Sequence, residues 1–261
     1  MRSSTIILIL AATLLLADAR PDPESNPIQL VTDGRVGSVV TNCRSWRLAS
    51  EVNNFRNWRV VPAQCVKYVK NYITDIVAVK TQYEADVAMV VAEAVEFLNS
   101  VPPTAGKNDT WLFDLTDTLL SSIPYYSSPD ANFGGNAFNR TAFNDYIKEG
   151  KMPAVPAIKE LYNEAQKKGF KVVILSGTSE DLREVLEANL KKAGFENWEK
   201  FILKKKPSMP TRDFKASERA QLKKDGYKVI GNVGDQWIDL LTGKNAGKRA
   251  FKIPNALYYV K

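Results

Sequence analysis

The sequence predicts an α/β fold: a doubly wound, mostly parallel sheet, preceded by a helical N-terminal extension and interrupted by a small cap insertion. Three observations carry this. Short apolar runs alternate with helical stretches from Asn108 to Gly231, the pattern of strand–helix–strand units. Several of these runs stop at an acid or a hydroxyl, at Asp114, Ser176 and Asp235. In an open parallel sheet, ligands bind at the carboxyl ends of the strands. A polar, aromatic-rich segment at about 121–152 follows the first strand, where a cap over those ends would sit. The expected division is a signal segment over 1–19, an extension over 20–107 and the sheet domain over 108–261.

The chain opens Met1-Arg2, runs nearly all apolar from Ile6 to Leu16, and reaches Ala17-Asp18-Ala19. A short charged start, an apolar core and an A-x-A site form a secretory signal, cut after Ala19. Eleven residues, 6–16, are too few to span a bilayer as a helix, which disfavours the alternative of an anchor. No second segment is long and apolar enough to cross a membrane. Arg20 to Val40 is rich in Pro, Asp, Ser and Gly and shows no periodicity. Cys43 and Cys65 are the only cysteines and enclose 21 residues. In an oxidising compartment one bridge is the simple reading, stapling this irregular part to the first helix, with two buried free thiols as the alternative. A chain without histidine offers these cysteines no metal partners. Pro62–Ile76 can form a short helix. Tyr83–Leu98 forms a clear one, with Val87, Val90, Val91, Ala94 and Leu98 at helical spacing, and Pro102-Pro103 ends that region.

Asn108–Leu120 reads as the first core strand and its turn. In Ser121–Gly150, Asn132–Gly135 reads as a loop and Thr141–Lys148 as a short helix. Tyr125, Tyr126 and Phe133 there either face a ligand or pack locally. Pro156–Lys168 is a helix closed by Gly169. Lys171–Leu175 is a strand, and Glu180–Lys192 a helix with Ser179 as N-cap. Phe201–Leu203, Lys215–Lys224 and Lys228–Gly231 follow as strand, helix and strand. Asn108-Asp109-Thr110 and Asn139-Arg140-Thr141 are glycosylation sequons at Asn108 and Asn139.

Four pieces then fall in a telling order: Asp114-Leu115-Thr116-Asp117-Thr118, the strand ending Leu175-Ser176-Gly177, Lys215, and Gly234-Asp235-Gln236-Trp237-Ile238-Asp239. Together they resemble the haloacid dehalogenase (HAD) superfamily, whose motifs are an aspartate pair, a Ser/Thr, a Lys and G-D-x-x-x-D. The blocks Asn42–Trp46, Val61–Cys65, Ser121–Tyr126 and Gly234–Trp237 are similar to those of plant acid phosphatases and vegetative storage proteins, the class B-type acid phosphatases. The resemblance runs from about Asn42 to the C-terminus.

The resemblance implies a HAD-like fold, a small phosphomonoester substrate and an aspartyl-phosphate formed on Asp114. It implies Mg²⁺, which prefers oxygen ligands, held by Asp114, Asp235 and the backbone carbonyl of Thr116. Ser176 would bind a phosphoryl oxygen, Lys215 would neutralise charge, and Asp239 would orient Lys215 or a metal-bound water. One position departs from the pattern. The second aspartate of the pair, the family's general acid and base, is Thr116 here. Losing such a group typically costs on the order of 10²–10⁴ in rate. Asp117 is no substitute, because the family carries an acid there as well.

The net charge is +7, but the charges are scattered, with Lys204-Lys205-Lys206 the only dense run. That argues against nucleic acid as a partner. The resemblance and the signal lead to a secretory protein, vacuolar or extracellular: a vegetative storage protein with weak phosphomonoesterase activity. The alternative is a fully active, broad-specificity acid phosphatase. A binding module without chemistry has little to support it. Oligomeric state is not fixed by the sequence, and a homodimer is one arrangement it admits.

Overall fold

A computed structural model describes residues 39–77, 79–241 and 246–261. The signal segment and its cleavage site lie outside the described residues.

Three helices precede the main sheet: α1 (Val39–Glu51), α2 (Val66–Thr74), entered through a 3₁₀ turn at Ala63–Cys65, and α3 (Gln82–Ser100). Cys43 and Cys65 form a disulfide, with S–S 2.04 Å. Cys43 lies within α1 rather than in an irregular stretch, so the bridge joins helix to helix. A two-stranded antiparallel hairpin, β1 (Ile76–Val77) and β2 (Lys80–Thr81), leads into α3. There the Thr81 hydroxyl accepts from Glu84 N–H at 3.1 Å, and Glu84 Oε2 accepts from Thr81 N–H at 2.8 Å. This capping box fixes where α3 begins. The helix buries Tyr83, Val87, Val91, Ala94 and Leu98, while Val90 is half-buried.

The main sheet has five parallel strands in the order β5-β4-β3-β6-β7. They are β3 (Asn108–Phe113), β4 (Lys171–Ser179), β5 (Lys200–Lys204), β6 (Tyr227–Gly234) and β7 (Arg249–Lys252). The central strand β3 is buried from Asp109 onward. Its side chains alternate between faces: Trp111 and Phe113 join the core that includes α3, while Leu112 joins Val173, Leu175 and Val229 in a second core. Between β3 and β4 come α4 (Ile123–Tyr126), a 3₁₀ turn at Asn132–Gly134, α5 (Arg140–Lys148) and α6 (Pro156–Lys167). A Schellman pair closes α6, with Gly169 N–H donating to Gln166 O at 2.8 Å and Phe170 N–H to Ala165 O at 3.0 Å. Gly169 has φ +89°, which a glycine adopts at little cost.

The later helices are α7 (Arg183–Lys192), α8 (Thr211–Lys224) and α9 (Trp237–Leu240). Several boundaries differ from expectation: β4 runs four residues past Leu175 and β6 three past Gly231. Glu180–Leu182 is a 3₁₀ turn before α7, and Ser179 makes no side-chain cap, because β4 runs through it. Helix α8 begins four residues before Lys215, after Pro210 at φ −56° and with Asp213 in its first turn. Lys215 therefore sits one turn inside the helix.

After β7 the chain has no regular structure. Residues 253–260 form a strap that buries Ile253, Ala256 and Leu257. It passes so close to Gly134 that a Cβ there would lie 2.1 Å from Leu257 O. At φ +80° and with that contact, position 134 admits glycine alone.

Candidate active site

Strands β3 and β6 are neighbours, and the residue after each is an aspartate. Asp114 N–H donates to Val233 O at 2.9 Å, which holds Asp114 at the level of the β6 end. Asp235 follows Gly234 directly. A Cβ on Gly234 would lie 2.5 Å from Asp239 Cβ and Oδ2, so the turn from β6 into α9 closes only around glycine. Asp239 Oδ2 accepts from Gln236 N–H at 2.9 Å. The Asp239 carbonyl accepts from Asn232 Nδ2 at 2.8 Å and Arg219 Nη1 at 3.0 Å.

Lys215 reaches in from α8, and its Nζ donates to Asp114 Oδ1 and to Asp239 Oδ1. Asp114, Asp235 and Asp239 each offer a carboxylate oxygen within 4.8 Å of the others, and all three are buried. Asp117 is buried beside them. It accepts from Ser122 N–H at 2.7 Å, from the Ser122 hydroxyl and from the Tyr258 hydroxyl at 2.8 Å. Thr118 Oγ1 lies 3.4 Å from Asp235 Oδ1.

Four buried carboxylates thus gather around one buried lysine, and Asp114, Asp117, Asp235 and Lys215 are shifted accordingly. Burial raises the Asp114 carboxyl well above the usual range. Lys215 opposes that shift, and Asp239 and Asp235 reinforce it. Asp235 is raised to about 7 by burial and then by Asp239 and Asp117, against hydrogen bonds from Gln236 and Asn255. Asp117 is raised by burial against its bonds from Ser122 and Tyr258. For Lys215, burial pulls the ammonium down, but Asp114 and Asp239 outweigh it and the net shift is upward.

The sequence-derived residues are placed as follows. Asp114, Lys215, Asp235 and Asp239 meet in one cluster. Ser176 is buried at the same end of the sheet, on the neighbouring strand β4, with its Oγ 3.0 Å from Thr178 Oγ1 and accepting from Thr178 N–H at 3.2 Å. Thr116 is half-buried in the turn after β3, in a bridge with Leu120. Asn139 is exposed and caps α5, accepting from Ala142 N–H at 3.1 Å. Asn108 is half-buried at the first position of β3.

Tyr125 and Tyr126 pack on rings of the cap and of the strap. Tyr125 sits edge-on to Tyr126 at 5.1 Å and to Phe143 at 5.0 Å, Phe133 is buried, and Tyr126 stacks on Tyr258 at 5.3 Å. Sequence reasoning missed Asn255 and Tyr258, which reach Asp235 from the strap. An Asn directly after Pro254 and a Tyr beside Leu257 are weak local signals of polar groups headed for a buried site.

The sequence signature described as HAD superfamily, subfamily IIIB (acid phosphatase), matches residues 29–261. The chain belongs to this acid phosphatase family. The match begins earlier than the recognisable motif blocks, which start near Asn42. The chain is 36% identical over 259 residues to the soybean (Glycine max) stem 28 kDa glycoprotein, covering 98% of each. It is 38% identical over 220 residues to tomato (Solanum lycopersicum) acid phosphatase 1, covering 84% of this chain and 83% of that one. It is 36% identical to Arabidopsis thaliana vegetative storage protein 1, covering 99% and 98% of the two chains. In fold it is similar to the class C acid phosphatase from Bacillus anthracis, with TM-score 0.61 and 16% identity over 75% of this chain and 85% of that one.

Acid phosphatases of this superfamily generally use a divalent metal, and the donor set here suits one. Lys215 occupies Asp114 Oδ1 and Asp239 Oδ1. Asp114 and Asp235 remain as hard oxygen donors, the type such a cation prefers. The upward shifts at Asp114 and Asp235 come first from burial and then from neighbouring carboxylates, and a divalent cation would offset both. Among the described residues, no helix is long and apolar enough to cross a membrane.

Proposed function

We propose that this acid-phosphatase-family protein hydrolyses small phosphomonoesters slowly, through an aspartyl-phosphate on Asp114, and serves mainly as a vegetative storage protein of the vacuole or the extracellular space. The observation that carries the chemistry is the Lys215 ammonium held between Asp114 and Asp239, beside Asp235. A carboxylate attacks a phosphate only if the approaching negative charges are offset. Lys215 supplies one positive charge at the attacking group itself, and Asp239 fixes where that charge sits. Asp114 and Asp235 would hold Mg²⁺ with the Thr116 carbonyl, and the ion would neutralise the transferring phosphoryl group. Ser176 would donate to a phosphoryl oxygen from β4. The division into an extension over 20–107 and a catalytic domain over 108–261, with a cap at about 121–152, belongs to the same reading. So do entry into the secretory pathway and glycosylation at Asn139 and Asn108.

Slow turnover follows from Thr116, which can neither protonate a leaving alkoxide nor activate water. Asp117, the nearest carboxylate in sequence, is engaged by Ser122 and Tyr258. The competing reading, a fully active acid phosphatase, draws on the retained set of Asp114, Ser176, Lys215, Asp235 and Asp239.

An assay of an aryl and an alkyl phosphate, with and without Mg²⁺, separates the two. Under the slow reading, wild type turns over the aryl ester far better, because a phenolate leaves without a proton. Thr116→Asp raises both rates on the order of tenfold to a thousandfold, and the alkyl rate more. Equal wild-type rates on the two esters favour the active enzyme. No gain from Thr116→Asp in folded, metal-binding protein removes Thr116 as the cause of slow turnover.

A further inference from the structure

Asp235 is held from outside the motif that contains it. Its Oδ2 accepts from Gln236 Nε2 at 2.7 Å and from Asn255 Nδ2 at 2.6 Å, and lies 3.2 Å from the Tyr258 hydroxyl. Its Oδ1 receives the longer contact from Thr118, at 3.4 Å. Gln236 and Asn255 therefore both donate to one oxygen, while the single Tyr258 proton goes to the nearer Asp117 Oδ2 at 2.8 Å. A carboxylate anchored in this way cannot turn to chelate with both oxygens. It presents one.

The strap residues are themselves fixed. The Asn255 side-chain carbonyl accepts from Leu257 N–H at 2.8 Å and Tyr258 N–H at 3.4 Å, which shapes the turn that aims both groups. Asn255 N–H donates to Glu51 Oε1 at 2.8 Å, so the end of α1 pins the strap. The Tyr258 ring stacks on Tyr126 at 5.3 Å, and its hydroxyl lies 2.8 Å from Asp117 Oδ2.

We propose that the strap, through Asn255, positions Asp235 as a metal ligand: it holds Oδ2 and presents Oδ1 to a divalent cation. This rests on the reading of Asp235 as a ligand. Partners in the outer shell of a metal site set ligand orientation, and losing one typically costs about 10–100-fold in metal affinity. Asn255 is a positioning residue in this scheme, because it acts through Asp235, and Tyr258 seats the strap on Tyr126 and Asp117. A strap that instead blocked the site would compete with the cation for Asp235. The convergence of donors on a single oxygen speaks for holding, since it leaves the other oxygen to the metal.

The test is Mg²⁺ binding to the chelator-treated full chain by titration calorimetry, with thermal melting of each metal-free protein. Wild type should bind, and Asp235→Asn should abolish binding. Asn255→Ala should weaken Mg²⁺ affinity about 10–100-fold. Asn255→Ser keeps a local acceptor for the Leu257 N–H but falls short of Asp235, so its affinity should drop alike while its metal-free melting stays nearer wild type. A purely structural strap would do the reverse, lowering the melting temperature and leaving Mg²⁺ affinity alone. Affinity within twofold of wild type in Asn255→Ala, or tighter binding, overturns the proposal. Should Asn255→Ala fail to fold, Asn255→Ser decides. If wild type fails to bind Mg²⁺, or Asp235→Asn binds it as well as wild type does, the ligand reading of Asp235 falls and takes this inference with it. If only the strap variants behave as wild type, the inference alone fails.

Discussion

Glu51, the last residue of α1, accepts from the backbone N–H of Asn255 at 2.8 Å, across 204 residues of sequence. Its other oxygen accepts from Lys252 Nζ at 2.8 Å, and its carbonyl from Trp237 Nε1 at 2.9 Å. One acid on a helix outside the catalytic motifs thus ties the end of β7 to the strap, and its backbone ties both to the turn after Asp235. Glu51→Ala removes the carboxylate from a half-buried amide and ammonium. The expected loss is about 1–3 kcal/mol in chemical denaturation. A loss below about 0.5 kcal/mol, the size typical of a surface change, would show that Glu51 does not hold the strap.

Lys215 is the only side-chain ammonium bonded to the carboxylate cluster among the described residues. Lys215→Met leaves Asp114 and Asp239 buried with no cation between them. Breaking a buried pair from one side typically costs about 3–5 kcal/mol. Urea denaturation of metal-free protein at pH 7.5 should show a loss of that order, and added Mg²⁺ should recover part of it. Equal stability of variant and wild type would mean the three-way ion pair does not form.

The metal-free protein should become less stable as pH rises toward neutrality. Asp235, raised to about 7 in the fold, keeps a proton that the unfolded chain releases near the ordinary carboxylate value of about 3.9. Between those values the folded state binds more protons, so stability falls as pH increases and levels off above about 7. Mg²⁺ needs the ionised carboxylate, so its affinity should rise over the same interval. Denaturation in chelator from pH 4.5 to 7.5, wild type against Asp235→Asn, isolates this from other carboxylates. Wild type should lose stability relative to the variant as pH rises, and a difference of opposite sign would contradict the shift.

Reduction of the Cys43–Cys65 bridge should cost about 3 kcal/mol in the chain-entropy account of a loop this short. Denaturation of oxidised protein against the Cys43→Ser/Cys65→Ser double variant measures it. No difference would place the stability of α1 wholly in packing, such as the edge-on contact of Trp46 with Trp58 at 5.3 Å.

What the sequence makes legible follows the range over which each signal acts. Asp114, Ser176 and Asp235 stand out because an apolar run leads into each, and a buried strand is a local pattern. Lys215 is legible only by its place in the motif order, and the start of α8 at Thr211 is not, because the polar stretch before it lacks an apolar stripe. Strand β7 escapes notice because it is short, lies at the sheet edge and mixes Arg249 and Lys252 with a single buried Phe251. Edge strands are commonly charged in this way to prevent further pairing. The strap is the hardest case. Asn255 and Tyr258 acquire their roles from Asp235 and Glu51, and no local periodicity encodes a contact of that span.

The same spans set the order in which the molecule condenses. Asp114 and Lys215 are 101 residues apart, Thr118 and Asp235 117, and Asp117 and Tyr258 141. Contacts between distant segments must overcome loop-closure entropy before they return any stability, and they slow folding. Helices such as α3, closed by its own capping box, can form early and alone. The carboxylate cluster cannot, because it needs four separate segments of chain to arrive together. A refolding experiment should therefore regain helical circular dichroism well before it regains a site able to take up a divalent ion.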